Sequence, residues 1–125
     1  MVTSGAAEVA ALGGKLGSIE VGRVADLVVM AQQDDDVYES VCDSTPADVQ
    51  LVMIGGDVAY GRTDWVSQLA ADATDPDLEK VVAWGRSMLL DTSFEVTPGG
   101  DPTPRLAQIR SALTKIYPPV GPIWA

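Results

Sequence analysis

The segment from residue 49 to residue 60 constrains the fold most. Val49, Leu51 and Met53 alternate with Gln50, Val52 and Ile54, a period of two that sends the two sets to opposite faces of a strand. Gly55-Gly56-Asp57 then supplies the positive-φ residues of a tight turn, and Val58-Ala59-Tyr60 returns. The pattern predicts an antiparallel hairpin. Its glycines do not make a phosphate loop, because no helix opens after them and no Lys-Ser or Lys-Thr follows.

Other elements gather around the hairpin. Residues 25–30 form a β-branched, apolar run expected to be a strand covered on both sides. Residues 2–12 are expected to form a short helix capped by Thr3 or Ser4, with Ala6, Ala7, Ala10 and Ala11 in it and Gly13-Gly14 ending it. Between these two, residues 16–22 are extended pieces punctuated by glycine. Residues 32–36 are a polar loop whose three aspartates lack the spaced ligands, central Gly and closing Glu of a calcium loop.

Past residue 63 the character changes. Residues 64–71 suit a helical turn, and residues 73–77 are a break. In residues 78–84, Leu78, Val81, Val82 and Gly85 fit a helical face while Val81-Val82 favours extension; a strand is the reading adopted, with residues 87–91 pairing to it across Gly85-Arg86. Residues 97–102 read as a loop. A final helix, about residues 103–117, is capped by Thr103, starts on Pro104 and aligns Leu106, Ile109, Leu113 and Ile116 before Pro118-Pro119 stops it. Its cations Arg105, Arg110 and Lys115 recur every five residues, about 140° apart, and so form no basic face. The tail beyond it carries Ile123 and Trp124 and is expected to lie over an apolar surface.

Composition narrows function. With 125 residues there is room for one domain with a single core. A formal charge of −10, from 8 Lys and Arg against 18 Asp and Glu, argues against nucleic-acid and membrane-surface partners. The histidine count is 0, which removes the Ser-His-Asp triad, the Cys-His dyad, the HExxH zinc site and the imidazole shuttle from this chain. Cys42 is the sole cysteine, so no disulfide forms within the chain, and with no cation beside it in sequence it reads as a small buried or half-buried hydrophobe. The first residues lack a basic region and an apolar run, and the longest apolar run, Leu27-Val28-Val29-Met30-Ala31, is far below the roughly 20 residues of a membrane span. A reducing cytoplasm is the expected location.

Single polar and glycine positions have structural readings. Gly17 and Gly22 bracket a turn where a Cβ would clash. Asp26 opens an apolar strand and is expected to accept backbone N–H bonds that lock a turn, a role favoured over that of a catalytic acid. Tyr60 is expected to end a strand with its ring buried and its hydroxyl at the rim.

One stretch carries a family resemblance. Met1-Val2-Thr3 with Ala6-Ala7 and Leu12-Gly13, then Gly17-Ser18-Ile19-Glu20-Val21-Gly22-Arg23-Val24-Ala25-Asp26-Leu27-Val28-Val29, resembles the C-terminal part of amidohydrolase-superfamily enzymes. There a helix reading "AT-x-x-x-A-x-x-L-G" precedes "G-S-I/L-E-x-G-K-x-A-D-L-V-V"; Arg23 stands where Lys is commoner. Residues 49–61 are similar to the family's next hairpin, and Thr45-Pro46-Ala47-Asp48 resembles its chlorohydrolase, deaminase and imidazolonepropionase branch. The resemblance covers about residues 1–62.

The resemblance implies an α+β fold: a small β-sandwich-type sheet, the rear part of the family's composite sandwich, with flanking N- and C-terminal helices and no complete (β/α)8 barrel. Residues 1–14 would be a remnant of the final barrel helix, 15–62 the sandwich segment, and 63–125 an extension whose helix packs on the same domain. A divalent metal, zinc, is expected in the parent enzyme, held by His and Asp residues of a barrel lying before residue 1. No catalytic, cofactor-binding or metal-binding residue is therefore assigned within this chain. Three functions compete: the inactive C-terminal part of a metal-dependent hydrolase of C–N or related bonds, an autonomous binding or oligomerisation module, and a small enzyme using carboxylates such as Asp26 and Glu20. The expected partners are a second copy of the chain or the missing barrel portion.

Overall fold

The structure, a computed structural model, describes residues 3–69, 78–93 and 105–119. The hairpin forms where the alternation places it, as β2 (Val49–Ile54) and β3 (Asp57–Arg62). Gly55 and Gly56 take φ values of 62° and 99°, the two positive angles a two-residue hairpin turn requires, and Asp57 already belongs to the returning strand. Around this hairpin the chain builds one five-stranded antiparallel sheet in the order β1-β2-β3-β5-β4, with β1 Leu27–Met30, β4 Leu78–Ala83 and β5 Arg86–Asp91. The fold is α+β, an antiparallel sheet with flanking helices α1 (Ser4–Val9), α2 (Val37–Asp43), α3 (Thr63–Leu69) and α4 (Leu106–Ile116) and no barrel among the described residues.

Strand register sorts the side chains into rows. Val29, Leu51, Gly61, Leu89 and Lys80 lie directly opposite one another across the sheet, and so share a face. The neighbouring row, Val28, Val52, Tyr60, Leu90 and Glu79, lies on the other face. Helix α3 covers the first row: Val66, only 1% exposed, packs with Leu51 and Leu89 to form the core cluster. Met53, Val58, Trp65 and Leu78 close around it. Two β-bulges interrupt the register, leaving Gln50 extra against β1 and Ala59 extra against β2.

Several expectations need correction. Strand β1 is not covered on both sides: Val28 on one face is 57% exposed and Val29 on the other 37% exposed, and among the described residues it stands at the edge of the sheet beside β2. Helix α1 ends at Val9, well before Gly13-Gly14. It closes on Ala11 at φ 58°, with Leu12 N bonded to Ala7 O at 2.8 Å and Ala11 N to Glu8 O at 3.0 Å, the paired bonds of a Schellman ending in which alanine occupies the position glycine prefers. Thr3 is the N-cap residue without a side-chain cap bond. Cys42 is exposed, because α2 turns it away from the sheet's core. Tyr60 sits in the middle of β3 and not at its end, since the strand continues through Gly61 to Arg62.

Other expectations hold, in one case partly. The strand reading of residues 78–84 is realised as β4, paired along its length with β5. The turn joining them is Trp84-Gly85, with φ 55° and 73°, one residue earlier than Gly85-Arg86. Residues 64–71 begin helical as α3. Gly17, at φ 93°, is required twice over, because a Cβ there would lie 2.8 Å from the Ala7 Cβ and 2.9 Å from the Ser4 Cα. Gly22 is required by its φ of 87° alone, since a Cβ would meet nothing within 4 Å.

Helix α2 was not anticipated from sequence. Asp36 caps it by accepting from Tyr38 N at 2.7 Å and Glu39 N at 3.2 Å, and buried Ser40 ties the preceding loop by accepting from Gln33 N and Asp34 N. The aspartate run is thus a helix entrance. Helix α4 carries its expected stripe, but only its first part is covered: Leu106 and Ile109 are half-buried while Ile116 is 81% exposed. Helix α4 begins at Leu106 with Arg105 at its N-cap, later than the expected start on Thr103 and Pro104, which with the 97–102 loop and the tail from residue 120 lie outside the described residues. No helix among the described residues is long and apolar enough to cross a membrane.

Candidate functional site

Carboxylates are the obvious candidates for chemistry in a chain without histidine, and each prominent one already has a partner. Asp26 Oδ1 accepts from Gly55 N at 2.8 Å, and Gly56 N donates to Ala25 O at 3.1 Å. The carboxylate therefore fastens the start of β1 to the tip of the β2–β3 hairpin, 29 residues away in sequence, as expected of a turn-locking acceptor. Glu20 pairs with Arg23 at 3.6 Å, and Arg23 also donates to the Gly13 carbonyl. Asp26 and Glu20 are thus engaged separately and do not form a pair for acid–base work.

Two further carboxylates are also engaged in structural contacts. Asp48 ends a 3-10 turn, Pro46–Asp48, and its carboxylate accepts from Thr45 N and Thr45 Oγ1, both at 2.8 Å, and from Gln33 Nε2 at 2.7 Å. The Thr45 amide, more than any other contact, holds Asp48 below the usual carboxylate pKa. Glu79 accepts from Leu106 N at 2.9 Å and from Thr92 Oγ1 at 3.0 Å, joining β4, the end of β5 and the start of α4. The Leu106 amide is the main cause of its lowered pKa.

A zinc ion of the kind the family resemblance implies needs imidazole, thiolate or clustered carboxylate ligands. The chain has no histidine, its one thiol stands on the surface, and no group of three or more His, Cys, Asp or Glu side chains among the described residues is placed to hold a metal. The donor set among the described residues does not fit such an ion.

Two of the concave features among the described residues bear on chemistry. One is a polar cleft of about 630 Å³ where β3 runs into α3, lined by Arg62, Thr63, Asp64, Ser67, Arg86 and Ser87. Arg62 is fixed there from three sides. Its Nε and Nη2 grip Asp64 at 3.0 and 2.6 Å, Nη1 donates to Gln50 Oε1 at 3.3 Å, and the guanidinium lies 5.3 Å from the Trp65 ring centroid. That grip lowers the Asp64 pKa and raises that of Arg62. The Thr63 and Ser87 hydroxyls meet at 3.0 Å across the cleft. The second feature is an apolar hollow of about 570 Å³, to which Val52, Ile54, Tyr60, Ala83, Trp84 and Leu90 contribute. Desolvation of Tyr60 in this hollow raises its hydroxyl pKa.

Sequence reading singled out neither concavity. Arg62, Asp64 and Trp65 match no motif, and Arg86 and Ser87 reach the cleft only through the pairing of β5 with β3. Comparison of the chain with curated proteins and with solved structures gives no match. Residues 1–59, just under half of the 125, match the model of the amidohydrolase family. That span runs from α1 through β2 into β3, includes the Asp26–Gly55 fastening, and supports membership of the amidohydrolase superfamily.

Proposed function

We propose that this chain is the C-terminal, non-catalytic support of an amidohydrolase-type, metal-dependent hydrolase of the chlorohydrolase, deaminase and imidazolonepropionase branch. It acts on C–N or related bonds through a metal centre, zinc by preference, in a barrel that is not among these residues. The chain works in the cytoplasm. The observation that carries this reading is the amidohydrolase match over residues 1–59 in a chain with no histidine. The apolar surface adds to it: only seven apolar side chains are buried among the described residues, while seventeen large ones are exposed, including Val9, Ile19 and Val21 in the matched part. A surface of that kind is suited to packing against further polypeptide.

The decisive test is the genomic reading frame upstream of the Met1 codon. An in-frame extension encoding a His-x-His barrel supports the proposal, and a stop codon with a separate promoter would sink it. A second check is direct assay. The chain alone, with zinc supplied, is expected to hydrolyse neither amide nor aryl chloride substrates, and turnover would overturn the supporting role.

An autonomous oligomerising module is the alternative, and one observation favours it. Val66 and Leu89, from beyond the matched segment, complete the core around Leu51, so the sheet does not rely on outside residues for its centre. In the absence of a barrel, the edges β1 and β4 and the exposed apolar residues drive self-association. Sedimentation velocity is expected to give a dimer or larger species; a monomer persisting at high concentration would remove that reading.

A further inference from the structure

The polar cleft beside α3 holds two of the eight cations of a chain whose net charge is −10. Register explains their convergence. Arg62 is paired with Met88, and Arg86 lies two residues before Met88 on β5, so the two arginines leave the backbone as diagonal neighbours roughly 7–8 Å apart by the usual spacing of such pairs, while Thr63 and Ser87 leave it on the opposite face, and the cleft gathers both sets at the end of the β3–β5 pair. Asp64 offsets one of the two charges through its two bonds to Arg62, while Arg86 feels the Asp48 carboxylate only at a distance, without an ion pair to it. Arg86 makes one hydrogen bond, from Nη1 to Ala47 O at 3.3 Å, and no ion pair among the described residues.

The donors still on offer define the ligand. A carboxylate is matched best by the parallel N–H pair of a guanidinium fork. Asp64 already holds the Nε and Nη2 edge of Arg62. What remains is the Arg86 guanidinium, the second hydrogens on the Arg62 terminal nitrogens, and the one hydroxyl proton that the Thr63–Ser87 contact leaves over, since Ser67 Oγ donates to Asp64 O. Arg86 keeps a fork of parallel N–H groups, and the Arg62 hydrogens arrive from a second direction; donors on two sides suit a tetrahedral oxyanion, whose oxygens point several ways, better than a flat carboxylate. Gln50 and the Trp65 ring hold Arg62 in place before any ligand arrives, so little side-chain entropy is lost on binding.

We propose that the cleft between Arg62 and Arg86, with Thr63, Ser67 and Ser87 around it, binds a phosphate-type oxyanion. The overall negative charge disfavours long polyanions, so the ligand is small, an inorganic phosphate or the phosphate group of a metabolite. The test is a titration of the full chain with inorganic phosphate at low ionic strength, followed by amide chemical shifts and by calorimetry. Saturable shifts at Thr63 and Ser87 are expected, weakening as salt is added. Arg86→Gln should weaken binding about 10-fold or more, equivalent to about 1.4 kcal/mol, and Ser87→Ala should weaken it several-fold. Arg23→Gln, at the Gly13 contact, should leave it unchanged. Arg86 is exposed, so its variant is expected to keep the wild-type spectrum elsewhere. Failure of phosphate to saturate these shifts, or undiminished binding by Arg86→Gln, overturns the proposal, and acetate binding as tightly as phosphate overturns the tetrahedral assignment.

Discussion

Gly61 offers the sharpest test of how this sheet and helix α3 fit together. Its φ is not positive, so nothing in its backbone conformation calls for glycine. A strand normally gains from replacing glycine by alanine, by roughly 0.5–1 kcal/mol of unfolded-chain entropy. Here the space is already taken. A Cβ on Gly61 would stand 2.8 Å from Leu51 Cδ1 and 2.8 Å from Val66 Cγ2, against roughly 3.5–4.0 Å for a comfortable carbon–carbon contact. Neither neighbour can withdraw cheaply. Leu51 is 5% exposed, Val66 is 1% exposed, and a β-branched side chain has little freedom at χ1. The added methyl must therefore push α3 away from the β3–β5 surface. Overpacking of this kind costs roughly 1–3 kcal/mol, which exceeds the entropic gain and leaves Gly61→Ala destabilised by about 1–2 kcal/mol.

The assay is urea unfolding, followed by tryptophan fluorescence, with midpoints compared at a common slope. A double-mutant cycle makes it specific. Val66→Ala alone should cost about 2 kcal/mol from two lost methyl groups and the cavity they leave. In Gly61→Ala/Val66→Ala the new methyl enters that cavity, so the double variant should be more stable than the sum of the singles by about 1 kcal/mol or more. Gly14→Ala is the control, because a Cβ there meets nothing within 4 Å and the backbone needs no positive φ. If Gly61→Ala is neutral or stabilising, and the cycle is additive, the proposed packing of α3 on this row is wrong.

Three further outcomes follow from single contacts. Ala11→Gly should stabilise the chain by about 0.5–1 kcal/mol, because Ala11 holds φ 58° at an exposed helix ending, and thermal unfolding should shift upward by a few degrees. Asp26→Ala should free the Gly55 amide, measured as faster hydrogen exchange there, and cost about 1 kcal/mol, whereas Asp26→Asn, which keeps an acceptor, should cost less. Acid should loosen three joints together: Asp48, Asp64 and Glu79 all have folded pKa values below their unfolded ones. Their contribution is complete above the ordinary carboxylate pKa of about 4 and is lost as pH falls through the lower folded values. Stability against urea should therefore decline below about pH 4, and Glu79→Gln should reduce that dependence.

The fold was legible where a local pattern had only one physical reading. Alternation over residues 49–54, followed by two glycines, left no alternative to a hairpin, and β2 spans those six residues. Asp26 was legible for a similar reason: a carboxylate at the mouth of an apolar strand needs donors, and the hairpin tip supplies the Gly55 amide. The failures share a cause as well. Ala11 and Trp84 adopt positive φ although neither is a residue that favours it, and both displaced the expected boundaries. At residues 84–85, β4 and β5 pair from Leu78–Asp91 to Ala83–Arg86, which leaves only Trp84 and Gly85 to make the turn, whatever Trp84 prefers locally. The exposure of β1 escaped notice because a run such as Leu27-Val28-Val29-Met30 looks the same at the centre of a sheet and at its edge.

The polar cleft was illegible for a different reason, one that limits any single-sequence reading of a site. Arg62, Asp64 and Trp65 are near neighbours, and their mutual contacts are a local matter. The residues that turn this local knot into a concavity, Arg86 and Ser87, come from β5. Nothing in the spacing of 24 residues between Thr63 and Ser87 foretells a 3.0 Å contact between hydroxyls. The pairing of Arg62 with Met88 sets it, because β5 lies between β3 and β4, so the sheet order runs β3-β5-β4 and not β3-β4-β5. Had β4 taken the place next to β3, its Glu79 and Lys80 would stand beside the hairpin and Arg86 would lie one strand further away. The sheet order therefore decides whether the cleft carries two cations, and the phosphate titration reports on that order as directly as on the ligand.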